Sequence, residues 1–206
     1  MAGGRQREFD REDVLEKAMY VFWKKGYVGA SLSDLTSAMG INKPSMYATF
    51  GNKEQLFIQA TEYYIEHYAK PQVRFLLEEG KSLQERVSAY LKSTLLAQCD
   101  GSGPKGCYIS LCVSESASES LPKAAFSMIE SARDFGSAYL QQFFTDEITK
   151  ERLSKNLKPA EMALFIITVL HGTAALARGG KAFEELEPMI DNVLAALNLG
   201  ADAKAT

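Results

Sequence analysis

Histidine and cysteine are scarce in this chain of 206 residues. The two histidines, His67 and His171, are far apart, and the cysteines are Cys99, Cys107 and Cys112. These residues do not form the two closely spaced Cys or His pairs of a zinc finger, so we expect no metal site. Three cysteines in a chain of otherwise intracellular character also argue against a disulfide framework.

Long apolar runs and catalytic motifs are lacking as well. No stretch of about 18 consecutive apolar residues exists, and the polar N-terminus MAGGRQREFDRED lacks a signal-peptide core. We therefore expect a cytoplasmic protein without membrane association. No nucleophile elbow, Gly-rich phosphate loop or Ser/His/Asp order stands out. Neither an enzyme nor a cofactor is expected, and the carboxylates Glu115 and Glu119 fit a solvated helix face.

The charge distribution differs between the two ends of the chain. The net charge is −3, which excludes a protein that is basic throughout. Residues 1–53 nevertheless carry eight Lys and Arg against six Asp and Glu, and most of these acids lie within residues 8–16. A local cationic surface on an acidic protein suits DNA binding by one end. Ordinary scatter of charges is the alternative explanation.

Helical periodicity dominates the apolar pattern, and no segment finds a partner strand, so the predicted fold class is all-α. The first helix has Asp10 as its N-cap, apolar positions 14, 15, 18, 19 and 22, and an end at Gly26. A long helix is predicted from 53 to about 71. Further helices are expected at about 73–78, 82–98, 107–114, 121–145, 159–178 and 183–198. Residues 107–114 also suit a strand, and 100–106 read as a loop.

Two short helices between residues 31 and 50 predict a helix-turn-helix. Ser31 or Ser33 caps the first, and Gly40 ends it. The predicted apolar stripe of that helix is Leu32, Leu35, Ala38 and Met39. Asn42 caps the second helix, which turns Met46 and Phe50 inward and tolerates Pro44 in its first turn. A helix of this kind fits the DNA major groove, and its N-terminal amides attract phosphate.

Residues 10–57 resemble the DNA-binding domain of the TetR family of helix-turn-helix transcriptional regulators. The segments that carry the resemblance, in order, are KGY at 25–27, ASLSDL at 30–35, AMGINK at 38–43, PSMYATF at 44–50, GNKE at 51–54 and LF at 56–57. Each segment is weak alone, but their order and spacing together are specific. The resemblance implies a DNA-binding domain at 1–52, a ligand-binding and dimerisation domain at 53–198, and a disordered tail at 199–206.

The resemblance also assigns residues to DNA contacts. Lys43, Ser45 and Thr49 match positions that touch bases or nearby phosphates, and Tyr47 and Lys53 match phosphate contacts. The full predicted DNA-binding set is Ser31, Ser33, Lys43, Pro44, Ser45, Tyr47, Ala48, Thr49 and Lys53. Ala48 departs from the bulky residue often found there. A half-buried core aromatic for Tyr47, a solvated helix start for Lys53 and a capping neighbour for Ser45 are the alternatives.

The implied function is a homodimeric regulator, a repressor that a small-molecule inducer releases from an inverted-repeat operator in double-stranded DNA. Wide apolar arcs at 159–178 and 183–198 favour a four-helix dimer interface, with an intramolecular core as the alternative. The candidate ligand-pocket residues are Tyr64, His67, Tyr68, Phe126, Tyr139, Phe143 and His171. Aromatics at helical spacing also suit a plain core.

Cys107 supports a second hypothesis about regulation. It follows a Gly-rich loop at a predicted helix start, where the helix dipole and the adjacent Lys105 favour a thiolate. A Gly-Cys at this place resembles a subgroup of TetR-type regulators that respond to electrophiles or oxidants. A small buried apolar residue is the alternative role for this cysteine. A helical enzyme or adaptor without DNA binding is the remaining alternative for the whole chain.

Overall fold

The computed structural model describes residues 10–117 and 119–199, and within these ranges the chain forms helices and no strands. The first three helices are α1 (Arg11–Gly29), α2 (Leu32–Met39) and α3 (Lys43–Phe50), here called the N-terminal unit. The all-α prediction is confirmed.

Local capping chemistry sets the bounds of these helices, as predicted. Asp10 accepts hydrogen bonds from the amides of Glu12 and Asp13, and Asn42 accepts one from the amide of Ser45 at 2.8 Å. Each cap satisfies amides that have no partner within the helix. The predicted stripe of α2 was wrong at Ala38, which is exposed.

Gly26 interrupts α1 rather than ending it. Its backbone leaves the helical region, with φ 70° and ψ −180°, and a further turn of helix follows to Gly29. A positive φ with an extended ψ is tolerated essentially by glycine alone. The glycine predicted to stop α1 therefore marks a break within it.

The helix predicted to end near Pro71 continues past it. Helix α4 (Lys53–Tyr64) runs into a π-helical segment at Ile65–Ala69, then α5 (Lys70–Val73) and a 3-10 turn at Arg74–Leu77. A proline inside a helix removes one amide and crowds the preceding turn. The wider π turn before Pro71 provides room, which explains why the chain stays helical.

The rest of the chain follows the predicted helices with one division. The bounds are α6 (Leu83–Cys99), α7 (Tyr108–Glu115), α8 (Lys123–Thr149), α9 (Pro159–Arg178), α10 (Phe183–Leu186) and α11 (Pro188–Ala196). Residues 107–114 are helical, as preferred over a strand. The helix predicted at 183–198 is divided at Pro188, since proline is accommodated best in a first helical turn.

Two apolar cores hold these helices together. The first joins the N-terminal unit and α4 to α7 and the start of α8, with Phe22, Phe57 and Tyr108 fully buried. The second joins α6, α9 and α11 to the end of α8, around Phe144 and Ile166. Because the first core crosses the predicted boundary after residue 52, movements of α7 and α8 bear directly on the N-terminal unit.

Leu199, the first residue of the predicted tail, belongs to the second core. Leu199 is buried, and its amide donates to the Leu194 carbonyl oxygen at 3.3 Å. Residues 200–206, the rest of the predicted tail, lie outside the described part of the chain.

Length and composition alone would allow one helix among the described residues, α9, to cross a membrane. This differs from the expectation of none, although a core helix of a water-soluble protein meets the same criterion. One side of α9 packs against α6 and α8 within the second core. The opposite side is exposed and apolar.

Candidate DNA-binding surface and ligand cavity

The turn between α2 and α3 brings one face of α3 to the surface. Gly40 ends α2 in the left-handed conformation, with φ 68°. Met46 and Phe50 then anchor α3 to the first core, both at most 2% exposed. Lys43, Pro44, Tyr47 and Ala48 are exposed on the other side, whereas Ser45 and Thr49 are half-buried.

The exposed face of α3 carries four members of the predicted DNA-contacting set, Lys43, Pro44, Tyr47 and Ala48. Tyr47 is 47% exposed, so its ring is not a core aromatic. The neighbouring Ala48 has a small side chain, so the major groove of DNA can approach this face of α3 closely. The contacts of these residues with bases or phosphates remain predictions.

The two predicted serines on α2 differ in environment. The Ser31 hydroxyl accepts from the Asp34 amide, and the Ser31 amide donates to the Asp34 carboxylate, both at 3.0 Å, which completes a capping box. Ser33 is exposed. Ser31 is therefore the N-cap of the two candidates.

Lys53 lies at the start of α4, beside the N-terminal unit. Its ammonium nitrogen sits 4.4 Å from the centroid of the Tyr27 ring, a cation–π distance. Burial lowers the pKa of Lys53, while the carboxylate of Glu115 acts in the opposite direction. The half-buried ammonium is placed by Tyr27, so Lys53 is not a freely solvated helix start.

A central cavity of about 210 Å³ lies between α1, the α4–α5 region, α6, α8 and α9. Four predicted pocket residues line it, namely Tyr64, Tyr68, Tyr139 and His171. Aromatic residues missed by the sequence analysis also line it, namely Tyr20, Trp23, Tyr90 and Phe135. The spacing of Tyr20 and Trp23 on α1 gives no sign that α1 reaches the cavity.

Three predicted pocket residues do not line this cavity. His67 is exposed and stacks on Tyr63 at 4.1 Å between ring centroids. Phe126 is half-buried near the start of α8 and does not line the cavity. Phe143 packs against Phe144 in the second core. Helical spacing places an aromatic on a face but does not identify the space that this face borders.

Most polar groups of the cavity already have partners. The Tyr68 hydroxyl donates to the Glu16 carboxylate and shares a hydrogen bond with the Tyr20 hydroxyl, both at 2.7 Å. The Gln98 amide nitrogen donates to the Leu170 carbonyl oxygen at 3.0 Å. The indole nitrogen of Trp23, by contrast, is buried with no hydrogen-bond partner among the described residues.

The charge of the cavity lining is low. Burial lowers the pKa of His171, so this side chain is neutral near pH 7. Asp100 and Arg133 are exposed and bonded to Ser102 and Asp134 respectively. The enclosed surface therefore favours an uncharged molecule over an ion.

Cys107 is the N-cap residue of α7 and lines the cavity. Its sulfur lies 3.6 Å from the Tyr64 hydroxyl oxygen. Cys112 is buried, and burial raises the pKa of its thiol. Burial also raises the pKa of the Cys99 thiol, which the charge of Lys105 opposes. Of the three thiols, only that of Cys107 borders the cavity.

An apolar surface is exposed on the last helices. Leu164 is 63% exposed and Leu176 is 50% exposed on α9. Phe165 and Met189 add further exposed apolar area. Ile166, Leu170 and Ile190 of the predicted apolar stripes are buried within the chain. The apolar residues of α9 and α11 therefore divide between the second core and an exposed face.

Comparison with known proteins places these features in a family. Residues 14–60 match the model of bacterial regulatory proteins of the tetR family. The HTH-type transcriptional repressor ComR of Escherichia coli K12 is 30% identical over 184 residues, which are 89% of this chain and 86% of ComR. The E. coli repressor BdcR is 27% identical over 186 residues, with coverages of 89% and 86%.

Solved structures agree. A cysteine mutant of the TetR family regulator CifR, complexed with 26-bp double-strand operator DNA, superposes with a TM-score of 0.86 at 32% identity, covering 94% of this chain and 100% of that one. Reduced NemR of E. coli shares the fold, with a TM-score of 0.75 at 22% identity over 89% and 94%. The chain belongs to the TetR family of bacterial transcriptional regulators.

Proposed function

We propose that this protein is a homodimeric repressor that binds an inverted-repeat operator through α3 and is released by a small molecule in the central cavity. The observation that carries the proposal is the exposed face of α3. Its orientation is fixed by Met46 and Phe50, which are buried on the opposite side of the helix. The CifR complex with operator DNA supports DNA as the partner. The names of ComR and BdcR support repression as the outcome.

The contacts with DNA divide between positioning and sequence recognition. Lys43, Ser45 and Thr49 are assigned to base edges and nearby phosphates, with Pro44 and Ala48 packed close to the groove. Tyr47 and Lys53 are assigned to phosphates. Ser31 and Ser33, at the start of α2, are assigned to the backbone. Phosphate contacts position a protein on DNA, whereas contacts with base edges specify the sequence.

Dimerisation follows from the exposed apolar side of α9 and α11. Leu164, Leu176 and Met189 would be covered by the same residues of a second copy, because a two-fold interface is self-complementary. Two N-terminal units are then available for two half-sites. Light scattering tests this directly. We expect twice the monomer mass of 22.7 kDa at micromolar concentration, and a monomer would contradict the proposal.

The cavity indicates the chemical class of the inducer. Its volume is below the roughly 300–1,000 Å³ of pockets for drug-sized ligands, so it fits a small molecule. The aromatic lining favours a flat ring, and the low charge favours a neutral one. The Trp23 indole N–H is a donor only, sealed in the cavity wall without a partner among the described residues, so a ligand that reaches it must carry a hydrogen-bond acceptor.

The only tryptophan of the chain lies at this site, so its fluorescence reports ligand binding. We expect acetophenone, a neutral aromatic ketone, to quench Trp23 more strongly than ethylbenzene, which lacks an acceptor, or benzoate, which is charged. Calorimetry with Trp23→Phe should show that the preference for acetophenone over ethylbenzene disappears. Equal binding of all three compounds to the wild type would contradict this ligand class.

Modification of Cys107 is the second candidate mode of release, since its thiol borders the cavity at the start of α7. Iodoacetamide forms an S–C bond at this sulfur as its C–I bond breaks, releasing iodide and the thiol proton, and the adduct would occupy the same space as a reversible ligand. Cys107→Ser should then retain operator binding and lose the response to iodoacetamide, while Cys99→Ser should retain both. A Cys107→Ser protein that iodoacetamide still releases from DNA would eliminate this mode.

The DNA proposal itself is tested by gel shift with the DNA that flanks the protein's own gene. Specific binding should persist in excess competitor DNA and weaken as salt increases. Absence of salt-dependent binding would favour the alternative of a helical protein that does not bind DNA.

A further inference from the structure

The break in α1 exposes two backbone groups to the C-terminal half of the molecule. In an uninterrupted α-helix, the Tyr27 amide would donate to the Trp23 carbonyl four residues earlier. Gly26 leaves the helical dihedral angles between these two groups. Each of them is bonded to a charged side chain from a distant segment.

The amide side of the break is bound by Glu115, the last residue of α7. The Tyr27 amide donates to Glu115 Oε2 at 2.7 Å. Hydrogen bonds of this kind, from an amide to an ionised carboxylate, are stronger than neutral ones. Gly26 packs so closely that a Cβ at this position would collide with the Glu115 carboxylate. Burial lowers the pKa of Lys53, and the charge of the same Glu115 carboxylate opposes that shift.

The carbonyl side of the break is bound by Arg178, the last residue of α9. Arg178 Nη1 donates to the Trp23 carbonyl oxygen at 3.1 Å, and Arg178 Nη2 donates to the Cys107 carbonyl oxygen at 3.2 Å. A single guanidinium thus joins α1 to the start of α7. Loss of either acceptor would leave a half-buried cation with fewer partners.

Helix α7 links the two contacts to the cavity. It begins after Cys107, which lines the cavity, and ends at Glu115. The loop before it fits tightly on α9, because a Cβ on Gly106 would lie 2.7 Å from the Ala174 carbonyl oxygen. Trp23, on the other side of the break, lines the cavity as well. A ligand between Trp23 and Cys107 would therefore contact both α1, at its break, and the start of α7.

We propose that Glu115 and Arg178 form a charged clamp on the Gly26 break of α1, which positions the N-terminal unit for operator recognition and transmits displacement of α7 to it. The proposal rests on the proposed DNA-binding function. The two residues are positioning residues, since neither belongs to the predicted DNA-contacting set. We expect the geometry of the α1 break to change when either charged contact is lost, and this change couples α7 to the N-terminal unit.

The clamp is tested first without DNA, by amide hydrogen exchange of ¹⁵N-tyrosine-labelled protein. Glu115→Ala should accelerate exchange at the Tyr27 amide by roughly 10-fold to 100-fold, the equilibrium factor expected for a hydrogen bond to a charged group. The matched control is Glu130→Gln on α8, whose carboxylate pairs with Arg133 at 3.6 Å. It should leave Tyr27 unchanged. Unchanged Tyr27 exchange in Glu115→Ala would overturn the clamp.

The positioning role is tested by operator affinity, using DNA selected by the wild-type protein. Glu115→Gln and Arg178→Gln should each weaken operator binding by about tenfold and leave binding to random DNA unchanged. Their double variant should bind about as weakly as the weaker single variant, because residues that act on one element are not additive. Wild-type affinity in Glu115→Gln, or fully multiplicative losses, would overturn the positioning role.

These experiments distinguish a failure of the proposed DNA-binding function from a failure of the clamp. If the wild type selects no DNA sequence, the proposed function is wrong, while Tyr27 exchange still decides whether the clamp exists. If the wild type binds its operator and the clamp variants bind it equally well, the clamp proposal alone is wrong. If Arg178→Gln unfolds, as thermal denaturation would show, Glu115→Gln decides the matter.

Discussion

Replacing Gly26 with alanine tests the structure of the α1 break. The alanine must adopt φ 70° and ψ −180°. Its Cβ must also displace the Glu115 carboxylate. The backbone conformation costs about 1–3 kcal/mol for a residue other than glycine. The lost charged hydrogen bond to Tyr27 costs about 1.5–3 kcal/mol.

Together these effects predict a loss of roughly 2.5–6 kcal/mol in the free energy of unfolding. For a chain of this size, the melting temperature should fall by about 5–20 °C. Circular dichroism at 222 nm follows the transition, since the fold is helical. The matched control is Gly80→Ala. Gly80 has φ 79°, but a Cβ there would meet nothing within 4 Å, so only the backbone conformation is penalised.

Two results would contradict a close contact between Glu115 and the α1 break. Equal melting temperatures for Gly26→Ala and Gly80→Ala would show that no close contact with Glu115 exists at the break. The second result concerns Glu115→Ala introduced into Gly26→Ala. We expect little further loss, because the hydrogen bond is already broken. A loss as large as in the wild-type background would contradict the account.

Further predictions concern DNA binding and the second core. Lys53→Ala should weaken binding to all DNA sequences and flatten the dependence of affinity on salt, as filter binding would show. Lys43→Ala and Ser45→Ala should instead change the preferred bases, at about 1–3 kcal/mol per lost base contact; identical effects of all three on specific and random DNA would contradict this division. Glu147→Gln should cost about 3–5 kcal/mol at pH 7, because it leaves buried Arg86 without its carboxylate. Burial opposes ionisation of Glu147, but Arg86 outweighs it and lowers the pKa. The wild-type advantage in urea denaturation should thus be complete above about pH 4.3 and shrink as the pH falls; a pH-independent difference would refute it.

The N-terminal unit was the part most fully predicted from sequence. Its caps are local, because Asp10 and Asn42 bond to amides two or three residues away. The orientation of α3 follows from two apolar residues four apart, Met46 and Phe50. Such features depend on short-range geometry, which the order of residues specifies directly.

The cavity could be predicted only in part from the sequence, and the clamp could not be predicted. Tyr64 and Tyr68 were found because aromatics one turn apart share a helix face, but the same reasoning selected His67, which is exposed. Trp23 was missed because its role depends on how α1 packs against α4 and α7. The Tyr27–Glu115 contact joins residues 88 positions apart, and no local pattern in the sequence indicates it.

In the proposed dimer, a symmetric pair of α3 helices recognises a DNA site with two-fold symmetry. The decisive measurement is selection from a random pool of double-stranded DNA with the wild-type protein. We expect enrichment of an inverted repeat whose half-site centres lie about 34–36 Å apart, or a multiple of that distance. Enrichment of a site without two-fold symmetry, or no enrichment at all, would contradict it.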